Sequence, residues 1–491
     1  MSRSEPERRV PFREQLRSLT RPFWAANVME VFERLAYYGA RVVVPVYIAS
    51  SEDPNGLHFD NRDKGIILTC WTLIQSLLPM FVGGFADKYG RRATMGASVG
   101  LKVAGYVLMA TQRSFWGFFL GCQVLGIASA FFKPGQQATL ARTLDARNSA
   151  LGWGIFYQVV GLAGWLGPPV AGYLRRLSWS WVFLACGAIV ALNGLVLLTY
   201  QDAPPSAEET MHTRSTWGVI VHSVRSMLRP RLLAFLVVMS GFFGLYFQLF
   251  DSMPNFIEEW IDSRDVIATF GLHEGWFAVH TPRGLQVPPE LLINVEGTAI
   301  VLLMLPVTAL TAKLGRLPAL AVGGTIVSMG FLLAGITPMG LCALFGIFVC
   351  AIGEMIAGPR FWAYLASMAP RGEESLYMGF IGVPGAIGVT AATYAGGFLY
   401  HRVADKANLA LRYLGERHLL APDALAAIPR PQAMAELQRV TQLDATEATK
   451  LLWNTYHPYT FWVAFAGLGL ASSVGMVLYA RAVRRWESAK S

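Results

Sequence analysis

Charge is what this sequence has least of. Asp, Glu, Lys and Arg make up 15% of its 491 residues, where a soluble domain carries about 25%. Apolar residues make up 54%. That balance excludes an ordinary soluble globule and indicates a chain that crosses a bilayer many times. Cysteine is scarce too. All five (Cys70, Cys122, Cys186, Cys342, Cys350) fall in apolar stretches, as small buried hydrophobes, and no loop pair remains for a disulfide. Histidine is missing from the middle of every apolar stretch, so a histidine proton relay in the membrane is excluded and carboxylates must carry any coupling. There is no Walker loop, nucleophile elbow or zinc-type Cys/His spacing. ATP-driven, hydrolase and metal-centre chemistries therefore have no support. No catalytic residue, metal or cofactor is expected, and the chain does not read as an enzyme.

What is present is a series of twelve apolar spans. The first six cover about 22–48, 65–86, 93–112, 115–137, 148–174 and 179–200. The second six cover about 232–257, 290–312, 317–338, 340–368, 374–400 and 458–480. The expected organisation is a cytoplasmic tail (1–21), a six-helix bundle (22–200), a polar linker (201–231), a second six-helix bundle (232–480) and a short tail (481–491). The second bundle carries two long insertions, 258–289 and 402–456. The fold class is therefore an all-α membrane protein of twelve transmembrane helices in two pseudo-symmetric bundles. The polar, Arg-rich first twenty residues lack the pattern of a cleavable signal peptide.

The net charge of +9 suggests nucleic acid only until its distribution is read. Lys and Arg number twenty-two on the side of the chain termini and seven in the short loops opposite. By the positive-inside rule both termini are cytoplasmic, and no nucleic-acid partner is needed. A plasma or bacterial inner membrane is the expected location, and a monomer the expected state.

The most informative stretch is Glu30-Val31-Phe32-Glu33-Arg34-Leu35-Ala36-Tyr37-Tyr38-Gly39-Ala40-Arg41. At about 100° per residue, positions 30, 33, 34, 37 and 41 share one arc of about 100° on span 1. Charges inside a bilayer face a cavity or partners. Lys133 on span 4 lies at a depth like that of Glu30 and Arg34. Glu354 on span 10 lies near the midplane. Lys102, in mid-span 3, is equally well a structural pair or a cavity residue. Asp251 and Glu296, in the outer halves of spans 7 and 8, either pair with Arg41 or Arg62 to close an outer gate or sit hydrated at the interface. Arg360 reads as a snorkelling side chain.

Phe85-Ala86-Asp87-Lys88-Tyr89-Gly90-Arg91 between spans 2 and 3 has a counterpart, Leu310-Thr311-Ala312-Lys313-Leu314-Gly315-Arg316, between spans 8 and 9. A paired element at equivalent places indicates an internal repeat. The segment Gly83 to Arg92 resembles the loop 2–3 signature of the major facilitator superfamily. That resemblance implies two bundles opened alternately to either side, with Asp87, Arg91 and Arg92 as a gating latch. The Glu-x-x-Glu-Arg run with Tyr37, Tyr38, Gly39 and Arg41 resembles the helix 1 motif of proton-dependent oligopeptide transporters. Lys133-Pro134 and Gly353-Glu354 match that family's helix 4 and helix 10 patterns. The resemblance implies proton coupling by Glu30, Glu33 and Arg34 with Lys133 as switching partner. It implies a substrate site of Tyr37, Tyr38, Arg41, Lys133, Tyr157, Asn294 and Glu354, with Arg41 clamping a carboxylate and Glu354 an amine. The sequence departs from the family pattern at Gly161, where an asparagine is usual, and at Val295, where a proline is.

The implied function is a proton-coupled symporter of short peptides or peptide-like solutes. The alternatives are a carrier or exporter of another amphipathic metabolite or drug, and a transport-inactive sensor. The insertion 258–289 reads as a compact cap, and 402–456, with helix-like runs at 433–440 and 445–453, as a cover for the outer mouth, a partner-binding segment or, most simply, a solvated excursion.

Overall fold

The computed structural model describes residues 12–144, 148–199, 221, 224–370, 377 and 380–488. The twelve spans form helices, arranged as two sets of six. Eight of them are long and apolar enough to cross a membrane on composition alone. Span 1, Arg21–Ala49, is as long as any at 29 residues but carries Glu30, Glu33, Arg34 and Arg41. Large apolar side chains such as Leu302, Leu305 and Leu310 are more than two-thirds exposed. In water such a surface would drive aggregation, whereas against lipid it is the expected outer face.

Glycines set close helix crossings in both halves. A Cβ on Gly167 of span 5 would lie 2.8 Å from Gly39 N on span 1. A Cβ on Gly244 of span 7 would lie 2.9 Å from Gly388 O on span 11. Only hydrogen fits at such approaches. Span 7 is span 1 plus six, and span 11 is span 5 plus six, so the internal repeat extends from the loops to the packing.

Two spans of the second half are irregular, and both carry polar groups. Span 7 runs as Pro230–Tyr246, Gln248–Asp251 and Met253–Trp260, and the short middle piece holds Asp251. Span 11 runs as Gly382–Pro384, a π turn over Gly385–Val389, and Thr390–Val403. Such turns free backbone groups inside helices and recur at functional sites.

The insertions are packed, which corrects the expectation of a solvated excursion. Residues 258–289 form Arg264–Phe270 and a hairpin, Val279–Thr281 with Gly284–Gln286. Residues 402–456 form Lys406–Glu416, Pro422–Ala426, Ala433–Thr441 and Ala445–Tyr456. Leu409, Leu414, Leu437, Leu452 and Trp453 are buried with Trp260 and Phe256 in one apolar cluster. Their amphipathic spacing closes a small core over the end of the bundle.

That insertion end also joins the two halves. Lys406 Nζ pairs with Glu52 Oε1 at 2.5 Å. Asp405 Oδ2 accepts from Asn61 Nδ2 and Arg430 Nη1, both at 2.8 Å. Lys64 Nζ donates to Asn255 Oδ1 at 2.8 Å, and Asn255 Nδ2 to Pro45 O at 3.0 Å. Arg175 reaches Glu290 at 3.0 Å and Glu258 at 3.4 Å. The bundle is closed at this end.

Candidate functional site

The span 1 face predicted from the sequence does line a cavity. Glu30, Glu33, Arg34 and Tyr37 face Lys102, Lys133, Gln75, Ser129 and Gln136. Arg34 Nε donates to Glu30 Oε1 at 2.6 Å, one helical turn apart. Gln136 Nε2 donates to Ala26 O at 3.0 Å, which pins span 4 to span 1 and sets Lys133 beside the glutamates.

Glu33 has partners that the sequence did not assign to it. Lys102 Nζ on span 3 makes a short ion pair with Glu33 Oε2. Asn193 Nδ2 on span 6 donates to Glu33 Oε1 at 2.9 Å. Lys102 is 1% exposed and Asn193 is fully buried. A charge so placed needs its partner, because a lone buried ion is strongly disfavoured. Lys102 both pairs with Glu33 and lines the cavity, so the two readings left open above hold together. The signal for Asn193 was available: a single amide inside the apolar run of span 6. Lys133 makes no ion pair among the described residues, although Glu30 and Glu33 line the same space. The cluster thus holds Glu30 with Arg34, Glu33 with Lys102, and one further cation. The free space among these groups is about 20 Å³, room for roughly one water molecule.

Arg41 lies outside that cavity, nearer the insertion end. Its guanidinium makes a short ion pair with Asp251 Oδ1 on span 7 and stacks on Trp71 with 5.4 Å to the ring centroid. Asp251 Oδ2 accepts a short hydrogen bond from Thr393 on span 11. Of the readings offered for Asp251, the structure thus has the pair with Arg41. It links spans 1, 7 and 11 across the two halves. With both partners almost fully buried, Arg41 is engaged by the protein itself in this state.

Glu296 does not join that pair, which corrects its placement in a gate. Tyr246 Oη donates to Glu296 Oε1 at 2.5 Å, so the carboxylate is turned into the second half. Glu354 is half-buried on span 10, and neither acid has a cation partner among the described residues. Asn294 is half-buried, with its Oδ1 near Gly297. Tyr38 packs on Phe250 of span 7 at 6.4 Å, a contact between halves. Arg360 does not snorkel: it donates to Thr311 O at 2.7 Å and to Thr311 Oγ1 at 2.8 Å, tying span 10 to the end of span 8. The side chains of Asp87 and Tyr157 lie outside the described residues. Arg91 is buried and Arg92 half-buried at the start of span 3.

Comparison with known proteins agrees with this architecture. The family model of the Major Facilitator Superfamily matches residues 28–272. The chain is 23% identical over 345 residues to the Multidrug resistance protein MdtH of Shigella dysenteriae serotype 1 (strain Sd197), over 68% of this chain and 77% of that protein. The MdtH of Escherichia coli (strain K12 / DH10B) matches to the same extent. A POT family transporter solved in complex with a thioalcohol conjugated peptide superposes with a TM-score of 0.66 at 15% identity, over 96% of this chain and 99% of that one. A mutant of the nucleoside transporter NupG superposes with a TM-score of 0.66 at 10% identity, over 93% of this chain and 99% of that one. The chain belongs to the major facilitator superfamily, as a multi-pass membrane transporter.

Proposed function

We propose that this protein is a proton-coupled symporter of short peptides or peptide-like solutes, working by alternating access. The observation that carries the reading is the distribution of charge in its interior. In the first half, Lys133 is the cation left over after Glu30 pairs with Arg34 and Glu33 with Lys102. In the second half, Glu296 and Glu354 have no cation among the described residues. A zwitterion with its carboxylate toward Lys133 and its amine toward Glu354 satisfies both excesses, as charge-assisted hydrogen bonds require.

Protonation of Glu33 would dissolve its pair with Lys102 and free an ammonium in a water-poor site. That ammonium must then find an anion, and an entering substrate carboxylate supplies one. Proton and substrate are thereby bound together, which is the thermodynamic requirement of symport. The Arg41–Asp251 pair and the contacts at the insertion end form the gate that must open on the other half of the cycle. With both termini in the cytoplasm, that end faces outward.

The second reading is export of an amphipathic drug or metabolite. It is favoured by the MdtH relatives, whose name is that of a multidrug resistance protein, and by Gly161, whose missing amide removes a contact to a peptide backbone. One experiment separates them. Uptake of labelled di-alanine is measured in proteoliposomes with and without an inward proton gradient, wild type beside Glu33→Gln. Gradient-driven uptake lost in the variant supports the symporter. No peptide uptake or binding by folded wild type would overturn it and favour the exporter.

A further inference from the structure

The two insertions meet the turn between spans 9 and 10 around a cleft of about 610 Å³, within the roughly 300–1,000 Å³ usual for small-molecule sites. It lies apart from the charged cavity of span 1 and shares no residue with it. Helix Ala445–Tyr456 forms one wall, with Lys450, Trp453 and Asn454 lining the cleft. Positions 450, 453 and 454 share a helix face by their spacing. Trp260 and Arg283 line the other side. The rings of Trp260 and Trp453 lie 6.0 Å apart at 58°.

The polar groups of the cleft are committed unevenly. Both carboxylates are occupied. Asp262 Oδ2 accepts from Arg264 at 2.5 Å. Asp265 accepts the backbone N–H groups of Val266 and Leu341 at 2.8 and 2.9 Å. The donors are not. Lys450 and Asn454 make no side-chain hydrogen bond or ion pair among the described residues. The indole N–H of Trp453 has no acceptor there either, although the residue is 9% exposed. Arg283 is 7% exposed; its Nη1 donates to Ile261 O at 3.0 Å and its Nη2 to Glu258 O. Its Nε is unpartnered, and it forms no ion pair among the described residues. Uncommitted donors and cations around an aromatic floor are complementary to an anion with an apolar body.

We propose that this cleft binds an amphipathic anion, with its carboxylate or phosphate head on Lys450, Asn454 and the Trp453 indole N–H, and its apolar part against the two tryptophans. Two sources share that chemistry: a soluble organic acid and the head of an anionic phospholipid. The site is independent of the transport reading.

The test uses the full chain in phosphatidylcholine nanodiscs. The probes are decanoate and dioctanoyl phosphatidylglycerol, with decanol and dioctanoylglycerol as uncharged controls. Melting temperature and tryptophan fluorescence are followed by titration. Saturable stabilisation by at least one anion is expected, with little from the controls. Affinity should fall about tenfold or more in Lys450→Glu, the scale of one charge-assisted hydrogen bond. Asn454→Ala, at a second exposed position, serves if Lys450→Glu does not fold, and it should weaken binding as well. Decanoate alone binding assigns a soluble acid. Phosphatidylglycerol alone binding assigns a lipid head. Equal effects of anions and controls, or affinity unchanged in both variants, overturn the site.

Discussion

A single side chain changes the reading of the charged cavity. Lys102 is the partner of Glu33, and the mid-span lysine flagged in the sequence acquires a function through a contact that no spacing on span 3 could reveal. Helical periodicity locates residues on one face of one helix. It says nothing of which neighbouring helix that face meets. Glu30, Glu33, Arg34 and Tyr37 were legible for the first reason, and the Lys102–Glu33–Asn193 group was not for the second. The pairing has a consequence for stability. Glu33→Gln leaves Lys102 buried without its anion, at a cost of about 3–5 kcal/mol. The double variant Glu33→Gln with Lys102→Met removes both charges and recovers most of that loss. Melting curves in detergent for the two single variants and the double check this: additive losses would show that the two side chains do not act as a pair. Lys133→Gln, by contrast, removes no ion pair of the described structure. It should leave the melting temperature within a few degrees of wild type while weakening substrate binding about tenfold or more, the scale of a charged hydrogen bond.

Elements were legible in proportion to their apolar length. Each of the twelve spans is a helix close to its expected place, because some twenty apolar residues in lipid have no other way to satisfy their backbone. The breaks in spans 7 and 11 were not legible, since apolar length does not mark where a packed helix interrupts its hydrogen-bond ladder. Nor was the role of the insertions, whose helices are short and gain their order from packing on each other and on Trp260. Their contacts across the halves give a prediction at this scale. Burial works against the charge of Glu52, but Lys406 and Arg283 outweigh it and hold its carboxyl below the ordinary 4.5. A carboxyl depressed in the folded state contributes stability above its ordinary value and loses it as pH falls through the depressed one. Glu52→Gln should therefore lower the melting temperature at pH 7. The difference from wild type should shrink toward zero as the pH is taken below 4.5. A difference that stays constant with pH would place the effect elsewhere than in the Glu52–Lys406 pair.

At the scale of the whole molecule, the described residues join the two halves by a set of buried contacts at the insertion end. The insertion end carries Arg41–Asp251, Lys64–Asn255, Asn61–Asp405, Glu52–Lys406 and Arg175–Glu290 between the halves. On the proposed alternating-access cycle, this set dissolves together in the other state. Surface ion pairs contribute little singly, but buried ones that share a front open cooperatively or not at all. The pair that joins this front to the central site is Arg41–Asp251, since Arg41 stands on the same helix face as Glu30, Glu33, Arg34 and Tyr37. Asp251→Asn should weaken the closed front and shift the population toward opening at the insertion end. Hydrogen exchange is expected to rise in 254–260 and 406–414, with little change at the far end of span 4. On the proposed symport, net gradient-driven uptake should fall, because a transporter that does not close cannot complete its cycle. Exchange of labelled for unlabelled substrate across the membrane needs closure as well and should fall with it. Binding of substrate from the insertion side needs no closure and should be retained or tightened. Loss of binding together with uptake would instead make Arg41–Asp251 a piece of the substrate site, with Arg41 returned to the role of carboxylate clamp.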